Sequence, residues 1–123
     1  MLQLRMPPLL EERNDVGLCL IFFPSAWLRR TFSFRTFIDQ LQSALLASGS
    51  CLTVELPPLQ AEEDFVHGKA QWAGKTLGLY FEYALGYLQL EAPSREVLQE
   101  ISSFVASHVQ VVEPPPTPKS LRR

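Results

Sequence analysis

Histidine and cysteine are scarce in this chain, two of each among 123 residues. His67 and His108 stand far apart, as do Cys19 and Cys51. None of these spacings matches a zinc-ligand pattern, and no metal or cofactor is expected. Both cysteines fall among apolar neighbours in predicted strands and read as reduced core thiols; a disulfide would require those strands to be adjacent. A long hydrophobic run is also missing. The longest, Gly17 to Phe23, is far too short to span a bilayer, and the opening Met1 to Pro8 has no signal-type apolar stretch before prolines and acids follow. The expectation is a cytosolic, soluble protein without a membrane partner. An excess of positive charge is absent too: 11 basic residues against 13 acidic ones give a net charge of −2. Long-range attraction for nucleic acid is thereby removed. No phosphate loop of the G-x-x-x-x-G-K-S/T type and no G-x-S-x-G nucleophile elbow occurs, and Ser48-Gly49-Ser50 reads as a helix stop.

What is present is patterning. Hydrophobic residues make up 46% of the chain and charged residues 20%, enough to build one core in one domain of this size. Residues 1–15 read as an irregular lead-in, with Pro7-Pro8 and the charged run from Glu11 to Asp15. A single domain is expected over 16–113, and the Pro-rich 114–123 as a disordered tail. Gly17 to Phe23 is uninterrupted apolar sequence, as in a strand covered on both faces. The first helix is signalled by Ser33 as cap, a Phe32–Phe37 staple and the stripe Phe34, Phe37, Ile38, Leu41, Ala44, Leu45, with Gly49 as its stop. Arg35, Asp39, Gln40 and Gln42 fall opposite, on a solvated face. A second helix is capped by Ser94 and buries Val97, Leu98, Ile101, Phe104 and Val105. Between the helices, Cys51 to Leu56 alternates, and so do three segments from Val66 to Ala92 with turns at A-G-K and A-L-G. Val109 to Val112 adds a last short strand.

The order β-α-β-β-β-β-α-β predicts an α+β fold: a mixed, mainly antiparallel sheet of five or six strands with both helices on one face. A relative of the ferredoxin-like plan with an added hairpin fits that order. Alternation then fixes the outer face as Thr53 and Glu55, His67, Lys69 and Gln71, Tyr80 and Glu82, and Tyr87, Gln89 and Glu91.

Three function classes compete for that face. A His67–Glu82 pair can in principle do acid–base chemistry, yet a flat polar sheet face lacks the concavity catalysis needs. RNA stacking needs basic neighbours, and here Tyr80 and Tyr87 stand among Glu55, Glu82 and Glu91. Tyrosines ringed by carboxylates suit a basic protein partner better. The contact set is therefore Glu55, Lys69, Tyr80, Glu82, Tyr87, Gln89 and Glu91. The alternative is a homo-oligomeric adaptor, for instance a homodimer, joined by an edge strand or by an apolar patch around Trp27, Phe32 and Phe34.

The stretch W-A-G-K-T-L-G-L-Y-F-E-Y-A-L-G-Y-L-Q-L, Trp72 to Leu90, resembles small bacterial immunity proteins of polymorphic or contact-dependent toxin systems. It covers roughly a sixth of the chain and carries no residue roles. The resemblance implies a non-enzymatic, stoichiometric inhibitor that covers a toxin's active site with a complementary, often acidic, surface.

Overall fold

A computed structural model describes residues 2–13, 17–25, 34–47, 49–58 and 64–112. Its elements are β1 (Leu2–Leu4), β2 (Leu9–Arg13), β3 (Gly17–Phe22), α1 (Phe34–Leu46), β4 (Leu52–Glu55), β5 (Phe65–Trp72), β6 (Lys75–Glu82), β7 (Tyr87–Ala92), α2 (Arg95–Ala106) and β8 (Val109–Val111). The α+β reading holds. Six strands form one sheet in the order β2-β3-β7-β6-β5-β4, and β1 pairs with β8 in a separate two-stranded sheet.

Every pair in the large sheet is antiparallel, and the parallel pairing expected of a mixed sheet occurs between β1 and β8. The connection through α1 explains this. It carries the chain from β3 to β4 at the far edge, with β7, β6 and β5 in between. The four strands β4 to β7 then return as a meander. A ferredoxin-like plan is not followed, because β3 is joined to the last strand of the meander and not to β4.

The lead-in expected over 1–15 is not irregular: it holds β1 and β2. Leu2 and Leu4 are fully buried in the core, each worth about 1.5–3 kcal/mol of apolar burial. Three residues are too few to show a period. In β2 the charges of Glu11, Glu12 and Arg13 hid a strand, but charges are what a sheet edge tolerates. Around β1 the backbone bonds run from Leu2 to His108, Ser25 to Gln3 and Val112 to Leu4, so its polar groups are met from both sides.

Both helices pack on the same sheet face. In α1 the buried residues are the six of the anticipated stripe. Phe34 stacks on Phe81 with centroids 4.7 Å apart, and Phe37 meets Phe22 edge-on at 6.4 Å. The opposite face of α1 is less solvated than anticipated: Gln42 donates to Leu52 O at 3.0 Å and Arg35 to Pro57 O at 3.2 Å, tying the helix to β4. In α2, Phe104 lies 5.8 Å from the buried Trp72, whose indole N–H donates to Glu100 at 2.6 Å. Ser94 occupies the N-cap position of α2, but its side chain makes no capping bond. Ser33, Phe32 and the Pro-rich tail lie outside the described residues. Gly49 follows α1 with φ of +93°, as a glycine stop should.

Of the two thiols, Cys19 is buried and Cys51 is exposed just ahead of β4. They are not paired, and only Cys19 is buried, on the side of β3 away from the core between the helices and the sheet.

Candidate functional site: the outer face of the sheet

The face away from the helices is a set of cross-strand rows. One row runs Phe65 (β5), Glu82 (β6), Tyr87 (β7), and the next runs His67, Tyr80, Gln89, Ile21, Leu9. A third runs Glu55 (β4), Lys69, Gly78, Glu91, Cys19, Glu11. All seven residues of the anticipated contact set lie on this face, so the alternation was read in the right phase.

Their environments differ more than alternation suggests. The rings of Phe65, His67 and Tyr80 form a triangle, with centroid separations of 5.5 Å, 4.8 Å and 6.0 Å around it. Tyr80 continues to Tyr87 at 6.0 Å and Tyr87 to Phe23 at 6.3 Å. The result is an aromatic ladder across β5, β6 and β7 that ends on Phe23, the residue after β3. Two arginines close one end: Arg13 lies 5.7 Å from the Tyr87 ring centre and Arg5 5.3 Å from that of Phe23. Arg5 also donates to the Gly86 carbonyl at 2.7 Å, pinning the β6–β7 turn to the N-terminal segment.

Three carboxylates of the face, Glu82, Glu91 and Glu11, are held. Tyr80 O–H donates to Glu82 at 3.0 Å. Burial foremost, and that bond second, push the phenol of Tyr80 up to about 12. A chain of contacts then crosses the face. Glu11 pairs with Arg13 at 3.3 Å, Arg13 donates to Gln89 Oε1 at 2.8 Å, and Gln89 Nε2 donates to Glu91 Oε2 at 2.7 Å. Arg13 is raised above its ordinary value, chiefly by its interaction with the Tyr87 side chain.

Two corrections follow. Gln89, expected at the contact surface, is only 3% exposed; it positions Glu91 and Arg13 and is not itself a contact. The His67–Glu82 pair is not assembled either, because the ring of Tyr80 packs on His67 while its hydroxyl takes the Glu82 carboxylate. Lys69 stands directly opposite Glu55 and, across β6, opposite Gly78, with Glu91 one strand further on. Phe34 of the proposed apolar oligomer patch is wholly buried, while Trp27 and Phe32 lie outside the described residues.

Sequence reasoning missed Phe65, Phe23, Arg5, Arg13 and Glu11. Phe65 was findable by extending the alternation of β5 one residue back. The others belong to β2 and the ends of β1 and β3, which only strand pairing brings to this face. Among the described residues no group of three His, Cys, Asp or Glu is placed to hold a metal ion, and no helix is long and apolar enough to cross a membrane. Comparison with known proteins gave no match to a family model, to a curated protein or to a solved structure.

Proposed function

We propose that this is a non-catalytic protein-binding module whose outer sheet face docks a basic protein partner. The observation that carries the reading is Phe65, a large ring 54% exposed at the end of the aromatic ladder, with Glu82 directly opposite it in register. Asp64 precedes it, and Glu55 lies on the neighbouring strand. A flat aromatic cluster edged by carboxylates presents rigid contact area, a π-face for a lysine or arginine, and an attractive field for a cationic surface. The carboxylates already engaged by Tyr80 and Gln89 are pre-ordered, which lowers the entropy lost on association.

The resemblance over Trp72 to Leu90 extends this reading to a particular kind of partner. The protein would act as an immunity protein, covering the active site of a cognate basic toxin domain in the cytosol and neutralising it one to one.

A pull-down from the source organism's lysate tests the reading with the wild-type chain and a Phe65→Ala, Glu55→Lys variant. Both substitutions are at exposed positions, so folding is expected to survive and urea unfolding checks that it does. The expected result is one basic protein retained by the wild type and bound at least about tenfold more weakly by the variant, the scale of a hot-spot loss. Equal retention by a folded variant removes this face as the docking surface. Recovery of the chain alone redirects the reading to self-association through an edge strand, β2 or β4.

A further inference from the structure

The aromatic ladder ends where the sheet is scooped out. At the level of Lys69 and Glu91 the intervening β6 residue is Gly78, and one level further on β7 has already left the sheet toward Pro93. A notch of about 640 Å³ opens there, lined by Lys69, Thr76, Gly78, Glu91 and Arg95 among others. Its volume lies within the range of about 300–1,000 Å³ usual for sites that take a side chain or small molecule.

The walls carry both signs of charge: Glu12 and Glu91 against Lys69 and Arg95. They are not equivalent. Glu12, Lys69 and Arg95 are exposed, whereas Glu91 is half-buried. The Glu91 carboxylate is fixed through Oε2 by the buried Gln89, which Arg13 fixes in turn. Its Oε1 lies flat against Gly78, so close that an added Cβ at that position would stand 3.0 Å from it. The one charged group held rigid in the notch is therefore an anion, backed by a second layer of hydrogen bonds and seated over a residue with no side chain. A pre-ordered acceptor favours a cation, because the cost of ordering it has been met in folding.

We infer that the Gly78 notch receives a basic side chain of the partner, its ammonium or guanidinium group paired with Glu91. This deepens the docking reading and rests on it for the identity of the occupant, but the notch itself is testable without any partner.

The experiment is amide NMR titration of the full chain with ethylguanidinium chloride and, separately, with sodium propionate at matched ionic strength. Ethylguanidinium is expected to give saturable shifts at Gly78 and Glu91 with a Kd of about millimolar order, as suits so small a ligand. Gly78→Ala and Glu91→Gln are each expected to weaken it at least about tenfold, and Gln40→Ala, at an exposed position of α1 away from the notch, to leave it unchanged. Saturation by propionate instead would show that Lys69 and Arg95 govern the notch and would overturn the inference. So would no saturable shift, or unaltered binding by Glu91→Gln. With the partner in hand, binding that survives Gly78→Ala but fails with Phe65→Ala, Glu55→Lys would refute the notch and keep the docking face. Loss of neither, with ethylguanidinium still bound at Gly78, would refute both the docking face and a partner side chain as the occupant.

Discussion

Replacing Gly68 by alanine is the sharpest test of how β4 is held against β5. Gly68 lies on the helix-facing side of β5, between the buried Val66 and Ala70 and opposite Leu79. A Cβ there would stand 2.7 Å from the carbonyl oxygen of Glu55 and 2.8 Å from Cδ2 of Leu56. Leu56 can rotate away, but the carbonyl belongs to the backbone where β4 ends, so the strand itself must move. Overpacking of this kind costs about 1–3 kcal/mol, and the upper part of that range applies when backbone must give. Alanine also restricts the unfolded chain, which offsets about 0.4–1 kcal/mol. The net expectation is destabilisation by about 2 kcal/mol, a urea midpoint lower by about 1 M for an m-value near 2 kcal/mol/M. In heat it corresponds to a Tm lower by about 8 °C for a domain of this length. Hydrogen exchange of the amides bonded between β4 and β5 should accelerate with it. Gly78→Ala supplies the control, since the atoms nearest to its Cβ all belong to the side chain of Glu91 and none to backbone; its stability should stay within about 0.5 kcal/mol of wild type. If Gly68→Ala unfolds at the same urea concentration as Gly78→Ala, the close approach of β4 is not as described.

The β5–β6 hairpin turns on Ala73 and Gly74, both at positive φ, +52° and +77°. Such a two-residue turn favours Asn-Gly, and an alanine in the left-handed region is strained. Ala73→Asn is expected to stabilise the protein by about 0.5–1 kcal/mol in urea unfolding, and a neutral or destabilising result would contradict that turn. At high pH, Tyr80 should ionise near 12 in the folded protein, against about 10 in the unfolded chain. Because the folded value is the higher, its contribution to stability is complete below about pH 10 and is lost as pH rises through about 12. Ultraviolet phenolate titration should lose the step near 12 in Tyr80→Phe. In Glu82→Gln that step should fall only part of the way, since burial is the larger cause.

Periodicity made the helices, the meander and the phase of every alternating strand legible. The stripe of α1 can be written from the spacing of Phe34, Phe37, Ile38, Leu41, Ala44 and Leu45 alone, and the outward set from Glu55 to Glu91 follows from a period of two. These are local properties: a side chain's face depends on its own backbone and its near neighbours. Where the strands lie relative to one another is not local. That β3 sits beside β7, that β1 closes on β8, and that Arg13 reaches Gln89 across the face are long-range pairings with no signature in a short window of sequence. The same limit applies at single residues. Gln89 has the polarity of a surface position, yet the neighbouring strand brings an arginine over it and buries it. Gly78 looks like a weak strand residue until register sets Glu91 opposite it and makes the missing side chain a notch. Sequence determined which residues face outward; strand order alone decided which of those meet, which are covered, and where the surface is hollow.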